Sequence, residues 1–281
     1  MFFLDLVSDI VMYIFPDLVS DKQISRKTRN MILVIFFIVS LCHIGISAYC
    51  IFWGIKKEKI ILIILGISCI ILFLSKIIKA IKNYKESQQM NKEIIKDFFD
   101  NLAPHWDNEP IADREIIDTI LDNSGVTENI NVLDIACGTG VLFPYYLERN
   151  VKSITAVDLS PEMVKIAKSK FPQAEIICDD AESISFDRQF DVIMIYNAFP
   201  HFPNPNALIE NLSKALKTNG IISIAHGMSK KELDEVHKKS AGKVSDILPE
   251  CEELKKMLEP YFNVDIMISN DKMYQVAGTK K

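Results

Sequence analysis

A segment of small residues follows an apolar run near the middle of the chain and has the composition of a ligand-binding turn. It consists of Asp134-Ile135-Ala136-Cys137-Gly138-Thr139-Gly140. Small residues at 136, 138 and 140 let the backbone turn sharply and approach a ligand, with a predicted helix start behind them. Such a turn is also typical of a tight strand-to-helix connection without a ligand. A dinucleotide fingerprint would need a small residue in place of Val141, and a P-loop would need Lys-Ser or Lys-Thr after the glycines.

Three histidines have positions from which they could serve a reaction. His201 follows one predicted strand, His226 ends the next, and His237 lies eleven residues later in a charged helical segment. Such imidazoles could act as a general base, bind an acceptor or together hold a metal. The alternative is a loop histidine at 201 and a solvated histidine at 237. Because no tight ligand spacing supports a metal, the catalytic prediction is His201 and His226, with no metal ligand.

These residues belong to a region in which strands and helices alternate. The five runs that resemble buried strands are residues 131–136, 153–157, 175–178, 190–196 and 220–225. Segments with apolar residues at helical spacing lie between them, at 141–149, 161–171 and 206–216. This alternation predicts an open, mostly parallel α/β sheet that binds ligands at the carboxyl ends of its strands. Two last runs, at 262–269 and 273–278, are close enough to form an antiparallel hairpin.

The run VLDIACGTG resembles motif I of the class I S-adenosylmethionine-dependent methyltransferases, and the rest of residues 95–281 follows that family's order. The resemblance implies a Rossmann-like fold with a mostly parallel seven-stranded sheet, and S-adenosyl-L-methionine as cofactor. The cofactor-binding residues that it implies are Asp134, Ala136, Cys137, Gly138, Gly140, Asp158, Leu159, Asp180, Ala181 and Asn197. The chain departs from the family pattern at Ala136, where many members have Gly, and at residues 218–220, where Thr-Asn-Gly replaces Pro-Gly-Gly.

The resemblance also implies individual roles at the two ends of the cofactor. Asp158 would hold the ribose hydroxyls, because a carboxylate can accept two hydrogen bonds from a vicinal diol. Asp180 would accept a hydrogen bond from the adenine amino group, and the backbone N–H of Ala181 would donate one.

A further segment, FFDNLAPHWD at residues 98–107, resembles the helix and loop that cover the cofactor in the quinone-biosynthesis and small-molecule branch of the family. Phe99, Trp106 and Asp107 are therefore candidate cover residues, and hydrophobic core packing is the alternative role for Phe99.

The chain has two parts of opposite charge. Residues 1–90 hold 11 Lys and Arg against 6 Asp and Glu, a net charge of +5, whereas residues 91–281 hold 21 against 31, a net charge of -10. The acidic balance of the second part argues against a nucleic-acid partner, since binding to phosphates needs clustered cations. The six cysteines have no CxxC or metal spacing and favour free thiols in a reducing compartment.

The basic part predicts a membrane anchor. Residues 31–55 carry no charge, and residues 60–78 form a second apolar stretch. The predicted domains are an amphipathic or juxtamembrane segment at 1–30, a transmembrane helical hairpin at 31–82, a linker at 83–94 and the methyltransferase domain at 95–281. The lysine and arginine counts weakly favour both ends inside the cell, which would place a multi-pass protein in the cell membrane with a cytoplasmic catalytic domain.

These predictions combine into a membrane-anchored enzyme that methylates a small acceptor, with the lipid bilayer as a partner. The anchor is explained equally by a lipophilic acceptor and by co-localisation with a partner. Methyl transfer from a sulfonium mainly requires alignment and exclusion of water, so the sequence does not identify the acceptor. Two alternatives remain open. One is a non-catalytic sensor or scaffold that binds S-adenosylmethionine, and the other is a dehydrogenase with an altered fingerprint.

Overall fold

The computed structural model describes residue 42 and residues 44–108, 113–236 and 244–281. The chain divides after Met90 into two compact units, Met1–Met90 and Asn91–Lys281.

The described part of the first unit is a helical hairpin. Helix α1 spans residues 44–56, and helix α2, Ile60–Leu102, begins after a turn at residues 57–59. A Cβ on Gly54 or on Gly66 would lie 2.7 or 2.6 Å from an isoleucine side chain of the other helix, so these glycines permit the close approach. Many large apolar side chains of the hairpin are exposed: Ile44, Ile46, Tyr49, Phe52, Ile55, Ile60, Ile61, Ile64, Leu65, Ile67, Ile71, Leu72, Leu74 and Ile78.

The prediction of a multi-pass protein of the cell membrane is wrong for the part of the chain that the structure describes. None of the helices described there combines the length and the hydropathy needed to span a membrane. The predicted second span, 60–78, lies in α2, but its apolar stretch of residues 60–74 rises only about 22 Å, whereas a hydrocarbon core measures about 30 Å. The predicted first span, 31–55, begins outside the described residues, and the predicted segment 1–30 lies entirely outside them.

The predicted linker at residues 83–94 is also corrected, because it is helical and forms the middle of α2. The sequence of this stretch contains neither Gly nor Pro, so nothing in it ends a helix. At its start, Lys82 and Glu86 pair at i and i+4 with 3.6 Å between Nζ and Oε1, in the arrangement that supports a helix.

The second unit is built on one seven-stranded sheet, which confirms the predicted mostly parallel sheet with an antiparallel hairpin. In chain order its strands are β1 (Asn131–Ile135), β2 (Ser153–Asp158), β3 (Glu175–Cys178), β4 (Phe190–Tyr196), β5 (Leu216–His226), β6 (Phe262–Ser269) and β7 (Tyr274–Lys280). Their spatial order is β3-β2-β1-β4-β5-β7-β6. Strands β1 to β5 pair in parallel, while β7 runs antiparallel to both β5 and β6.

Helices cover both faces of this sheet. They are α3 (Arg114–Asn123), α4 (Phe143–Glu148), α5 (Pro161–Lys170), α6 (Pro205–Ala215), α7 (Lys230–Val236) and α8 (Cys251–Leu258). Alternate residues of each strand point to opposite faces, so Leu133 packs with side chains of α6 and α8, whereas Val132 packs with side chains of α3, α4 and α5. Sequence order reverses between β1 and β4, and a crevice at such a point is where open α/β sheets bind ligands.

Candidate active site

The glycine-rich segment forms a strained loop directly after β1. Ala136, Gly138 and Gly140 all have positive φ values of 54°, 54° and 86°. The N–H of Cys137 donates to the carbonyl of Val157 at 3.2 Å, which anchors the loop to β2. Alternating left-handed residues make the turn tight and leave little side-chain bulk on it, as expected for a loop that approaches a ligand closely.

Asp158, the predicted ribose-binding residue, lies at the end of β2 and is tied to this loop. Its Oδ2 accepts a hydrogen bond from the N–H of Gly138 at 2.8 Å, and its Oδ1 accepts one from the N–H of Ser160 at 2.9 Å. The residue is 9% exposed, and this burial raises the pKa of its carboxyl while the two backbone hydrogen bonds oppose the shift. Each oxygen retains capacity for another hydrogen bond, which fits a diol ligand.

Asp134 is the second-last residue of β1, directly before the loop. It is 2% exposed, and its Oδ2 accepts a hydrogen bond from the hydroxyl of Tyr146 at 3.1 Å. Burial raises the pKa of Asp134 to about 7, and the hydrogen bond from Tyr146 partly offsets the rise. The carboxyl therefore changes its charge near neutral pH.

We expect Asp134 to make the stability of the fold depend on pH. Its pKa is about 7 in the folded chain and about 3.9 in the unfolded chain. Because the protonated carboxyl is favoured by folding, its contribution to the free energy of unfolding is fully present below pH 4 and is lost as pH rises to 7. Relative to Asp134→Asn, the wild type should lose about 3 kcal/mol in free energy of unfolding between pH 5 and pH 8. Urea denaturation of both proteins across this range measures the difference, and parallel curves would contradict the assignment.

The predicted adenine-binding residues follow β3. Oδ1 of Asp180 accepts a hydrogen bond from the N–H of Glu182 at 3.0 Å, and Oδ2 accepts one from the hydroxyl of Ser183 at 3.0 Å. Ala181 is buried, and its carbonyl accepts a hydrogen bond from Nδ2 of Asn211 at 3.0 Å. The loop after β3 is thus held by its own side chains and by α6.

Three further predicted cofactor residues lie around the same edge. Asn197 has a φ of 55°, and its Oδ1 accepts a hydrogen bond from the N–H of Gly227 at 3.0 Å, which joins the ends of β4 and β5. Leu159 is half-buried beside Asp158. Cys137 is buried, and this burial raises the pKa of its thiol well above the ordinary value.

The cover segment contacts the glycine loop. A Cβ on Gly138 would lie 3.6 Å from Nε1 of Trp106, so the indole lies over the loop. Oδ1 of Asp107 accepts a hydrogen bond from the hydroxyl of Thr139 at 2.6 Å. Phe99 packs edge-on against Trp106, with 5.8 Å between ring centroids. The cover prediction for this segment is thereby supported by contacts with the predicted cofactor loop.

Sequence reasoning missed three contact residues of this segment and its loops. Lys92 and Asp100 lie on the last turns of α2, and Asp100 accepts a hydrogen bond from the hydroxyl of Ser160 at 2.5 Å. Thr139 lies within the glycine loop, and its hydroxyl donates a hydrogen bond to Asp107. The spacing of Lys92, Lys96 and Asp100 at i, i+4 and i+8 was the available signal, because it places all three on one helix face.

The predicted catalytic histidines have different environments. His201 is half-buried in the turn after β4, where Nδ1 lies 2.9 Å from the carbonyl of Val244 and the ring packs edge-on against Phe99 with 5.0 Å between centroids. A carbonyl only accepts, so Nδ1 carries the proton and Nε2 of the neutral ring is the basic nitrogen. His226 is 0% exposed and pairs across the sheet with Tyr274. Its catalytic role remains a prediction, and His237 lies outside the described residues.

The residues present fit S-adenosylmethionine. A nucleoside needs a carboxylate for its diol, polar groups for its base and a close backbone approach, and the crevice supplies them at Asp158, Asp180 and Gly138. The whole set lies along the carboxyl ends of neighbouring strands, which can align a bound cofactor with an acceptor.

Comparison with known proteins agrees with this geometry. Residues 133–224 match the family model described as a methyltransferase domain. A malonyl-[acyl-carrier protein] O-methyltransferase of Priestia megaterium is 32% identical over 137 residues, which cover 47% of this chain and 50% of that protein. A ubiquinone biosynthesis O-methyltransferase of Coxiella burnetii is 28% identical over 144 residues, or 47% of this chain and 61% of that protein. The chain thus spans between half and two thirds of the lengths of these relatives.

A solved structure shares the fold. The plantazolicin methyltransferase BpumL, in complex with a pentazolic desmethylPZN analog and SAH, aligns with a TM-score of 0.56 and 17% identity. The alignment covers 70% of this chain and 98% of that chain. At this identity the likeness concerns the fold.

Proposed function

We propose that this chain, which carries a class I S-adenosylmethionine-dependent methyltransferase domain, transfers a methyl group to a small organic acceptor. The observation that carries the proposal is the joining of the glycine loop to Asp158, through the hydrogen bond between Gly138 N–H and Oδ2 at 2.8 Å. This contact joins the carboxylate that is predicted to bind the ribose to the glycine loop, whose backbone is predicted to approach the cofactor closely.

The cofactor supplies, when bound, a methyl group that its sulfonium charge already activates. The chain's residues then have three tasks: binding, alignment and exclusion of water. Asp158 and Asp180 would bind the nucleoside from the loops after β2 and β3. Phe99 and Trp106 would exclude water, because the Trp106 indole lies over the glycine loop and the Phe99 ring packs against it.

His201 is the proposed general base. Its Nδ1 is held by the carbonyl of Val244, which fixes the ring orientation and leaves Nε2 as the basic nitrogen of the neutral ring. Contact with Phe99 places the imidazole beside the cover, on the edge where β4 ends. An acceptor hydroxyl that loses its proton during transfer would need such a base.

Replacing His201 with Asn should lower kcat by about 100-fold or more, the range of general base catalysis, while the Kd of S-adenosylhomocysteine changes less than about twofold. The exposed His105 of the cover is the matched control, and His105→Asn should leave both quantities unchanged. Turnover and calorimetric binding measured on the same preparations separate the effects. Unchanged turnover in His201→Asn would disprove the base assignment.

The acceptor is proposed to be a small molecule with an apolar body that is methylated on oxygen. The two relatives above are named as O-methyltransferases for a malonyl carrier protein and for ubiquinone biosynthesis, which supports an oxygen acceptor. The aromatic rings of Phe99 and Trp106 at the cover support an apolar acceptor body.

The test is incubation of the full chain with isotopically labelled S-adenosylmethionine and a small-molecule extract, followed by mass spectrometry. Label in a small organic product supports the proposal and identifies the acceptor. Cofactor binding without transfer to any extract component would instead indicate a sensor or scaffold. Nicotinamide binding without S-adenosylmethionine binding would indicate a dehydrogenase.

A further inference from the structure

We propose that Lys92 is a specificity-determining residue of the cofactor site, which holds Asp180 in position to read the 6-amino group of adenine. This inference rests on the proposed function, because it assumes that S-adenosylmethionine binds with its adenine at the loop after β3. It adds a residue from α2, six positions before the cover segment, to a subsite otherwise formed by the loop itself.

Lys92 bridges two carboxylates of that loop. Its Nζ lies 2.6 Å from Oδ2 of Asp180 and 2.5 Å from Oε2 of Glu182. The lysine side chain is largely buried by these contacts. Burial lowers the pKa of Lys92, but hydrogen bonds with Asp180 and Glu182 outweigh this effect and raise the pKa above its ordinary value. The residue is therefore a fixed cation at neutral pH.

The ion pair with Lys92 gives the two carboxylate oxygens of Asp180 different roles. Oδ2 is engaged by Lys92 and by the hydroxyl of Ser183, at 2.6 and 3.0 Å. Oδ1 accepts one hydrogen bond, from the N–H of Glu182 at 3.0 Å, and has capacity for another. With Oδ2 held, the carboxylate cannot rotate freely, and Oδ1 remains the acceptor for an amino group.

Removing the ammonium would leave two carboxylates side by side. The Glu182 side chain is only 5% exposed, and its Oε1 accepts a hydrogen bond from the N–H of Asn204 at 2.6 Å, so it cannot turn to solvent without breaking that contact. A buried charge without its partner is strongly unfavourable. Asp180, which is more exposed, would be the group that moves, and the adenine acceptor would lose its position.

Lys92 belongs to a series of contacts that runs from the C-terminal part of α2 into the cover segment. Asp100 bonds to Ser160 after β2, and Asp107 bonds to Thr139 after β1. Lys92 therefore extends the series to the loop after β3. The same contact that positions Asp180 also holds the part of α2 that leads into the cover segment.

The experiment measures base preference by calorimetry on the full chain. The ligands are S-adenosylhomocysteine and its purine analogue that lacks the 6-amino group. The wild type should bind the adenine ligand at least tenfold more tightly, as expected for a hydrogen bond to a charged acceptor. In Lys92→Met, affinity for the adenine ligand should fall five- to tenfold and that for the purine analogue less than twofold, so the preference should nearly vanish. Lys92→Arg should retain it.

Two variants separate positioning from folding. Lys96→Met is the matched control, because Lys96 lies one turn away on the same face and pairs with Asp97 and Asp100; its base preference should equal that of the wild type. Lys92→Met leaves the buried Glu182 carboxylate without its cation and should therefore lower the free energy of unfolding. The double variant Lys92→Met/Glu182→Gln removes that charge, so it should regain the lost stability but still lack the preference for the adenine ligand.

Each remaining outcome has a distinct meaning. An equal loss of affinity for both ligands, or an unchanged preference in Lys92→Met, would overturn the role of Lys92 while leaving the proposed function intact. Tighter binding of the adenine ligand by Lys92→Met would overturn it too, by showing that the lysine competes with adenine. A wild type that binds neither S-adenosylmethionine nor S-adenosylhomocysteine would refute the proposed function itself.

Discussion

Asp158→Ala should weaken binding of S-adenosylhomocysteine by about 100-fold, since two hydrogen bonds to a charged acceptor are worth about 3 kcal/mol together. The carboxylate acts in two ways. It is the proposed acceptor for the ribose hydroxyls, and it already holds Gly138 and Ser160 through their backbone N–H groups. Alanine would remove the ribose acceptor and release the glycine loop from the end of β2.

The effect is measured by calorimetric titration, with thermal unfolding as a check on the fold. Asp158→Asn keeps the shape and one acceptor oxygen, so its loss of affinity should be intermediate. Asp187→Ala is the control, because Asp187 is an exposed carboxylate in the loop before β4, at the opposite edge of the sheet. Wild-type affinity in Asp158→Ala would exclude the ribose assignment.

Gly140→Ala should lower the free energy of unfolding by about 2–5 kcal/mol, the combined range for a left-handed non-glycine residue and an overpacked site. Gly140 has a φ of 86°, and a Cβ there would lie 2.9 Å from the ring of Phe143 and 3.0 Å from that of Phe171. Both rings are packed in the layer beneath the loop, so they have little room to yield.

Gly138→Ala is the matched comparison for this prediction. Its φ is also positive, at 54°, but the nearest atom to a Cβ would be Nε1 of Trp106 at an ordinary contact distance of 3.6 Å. Its loss of stability should therefore be about 1 kcal/mol, from backbone strain alone. Urea denaturation of the two variants compares them directly, and equal losses would show that the crowding at Gly140 carries no cost.

The strands and the glycine loop could be predicted from the sequence because their signals are local. The β-branched run that includes Ile193 and Ile195 is buried on both faces of the sheet, and such runs are recognisable without knowing their neighbours. The positive φ values at Gly138 and Gly140 were implied by the residue types. The family resemblance then supplied the role of Asp158, which the structure places against that loop.

Contacts between distant parts of the chain could not be predicted in this way. Lys92 and Asp180 are separated by 88 positions, and nothing in the local pattern of either residue identifies the other. The burial of His226 depends on β7 lying beside β5, where Tyr274 is its cross-strand neighbour. A hairpin prediction gives the pairing of β6 with β7 but not which of them meets the rest of the sheet.

Within the described residues, the prediction of a membrane span at 60–78 failed for a different physical reason. The hydropathy of residues 60–74 is that of an apolar helix, but a membrane span must also be long enough to cross the hydrocarbon core of a bilayer. Helix formation was predicted correctly there, whereas the polar residues that follow were taken for a linker. Because the polar stretch contains no Gly or Pro and consists largely of residues that favour helices, α2 continues through it to Leu102.

The position of β7 determines the order in which the sheet can be completed. Strand β7 is the last in the sequence, yet it lies between β5 and β6. Until residues 274–280 are in place, β5 has an open edge and β6 has no link to the sheet. The half of the sheet that carries His226 therefore depends on pairing between residues far apart in the sequence, such as Ile221 with Thr279, just as the pairing of β1 with β4 does at the centre of the sheet.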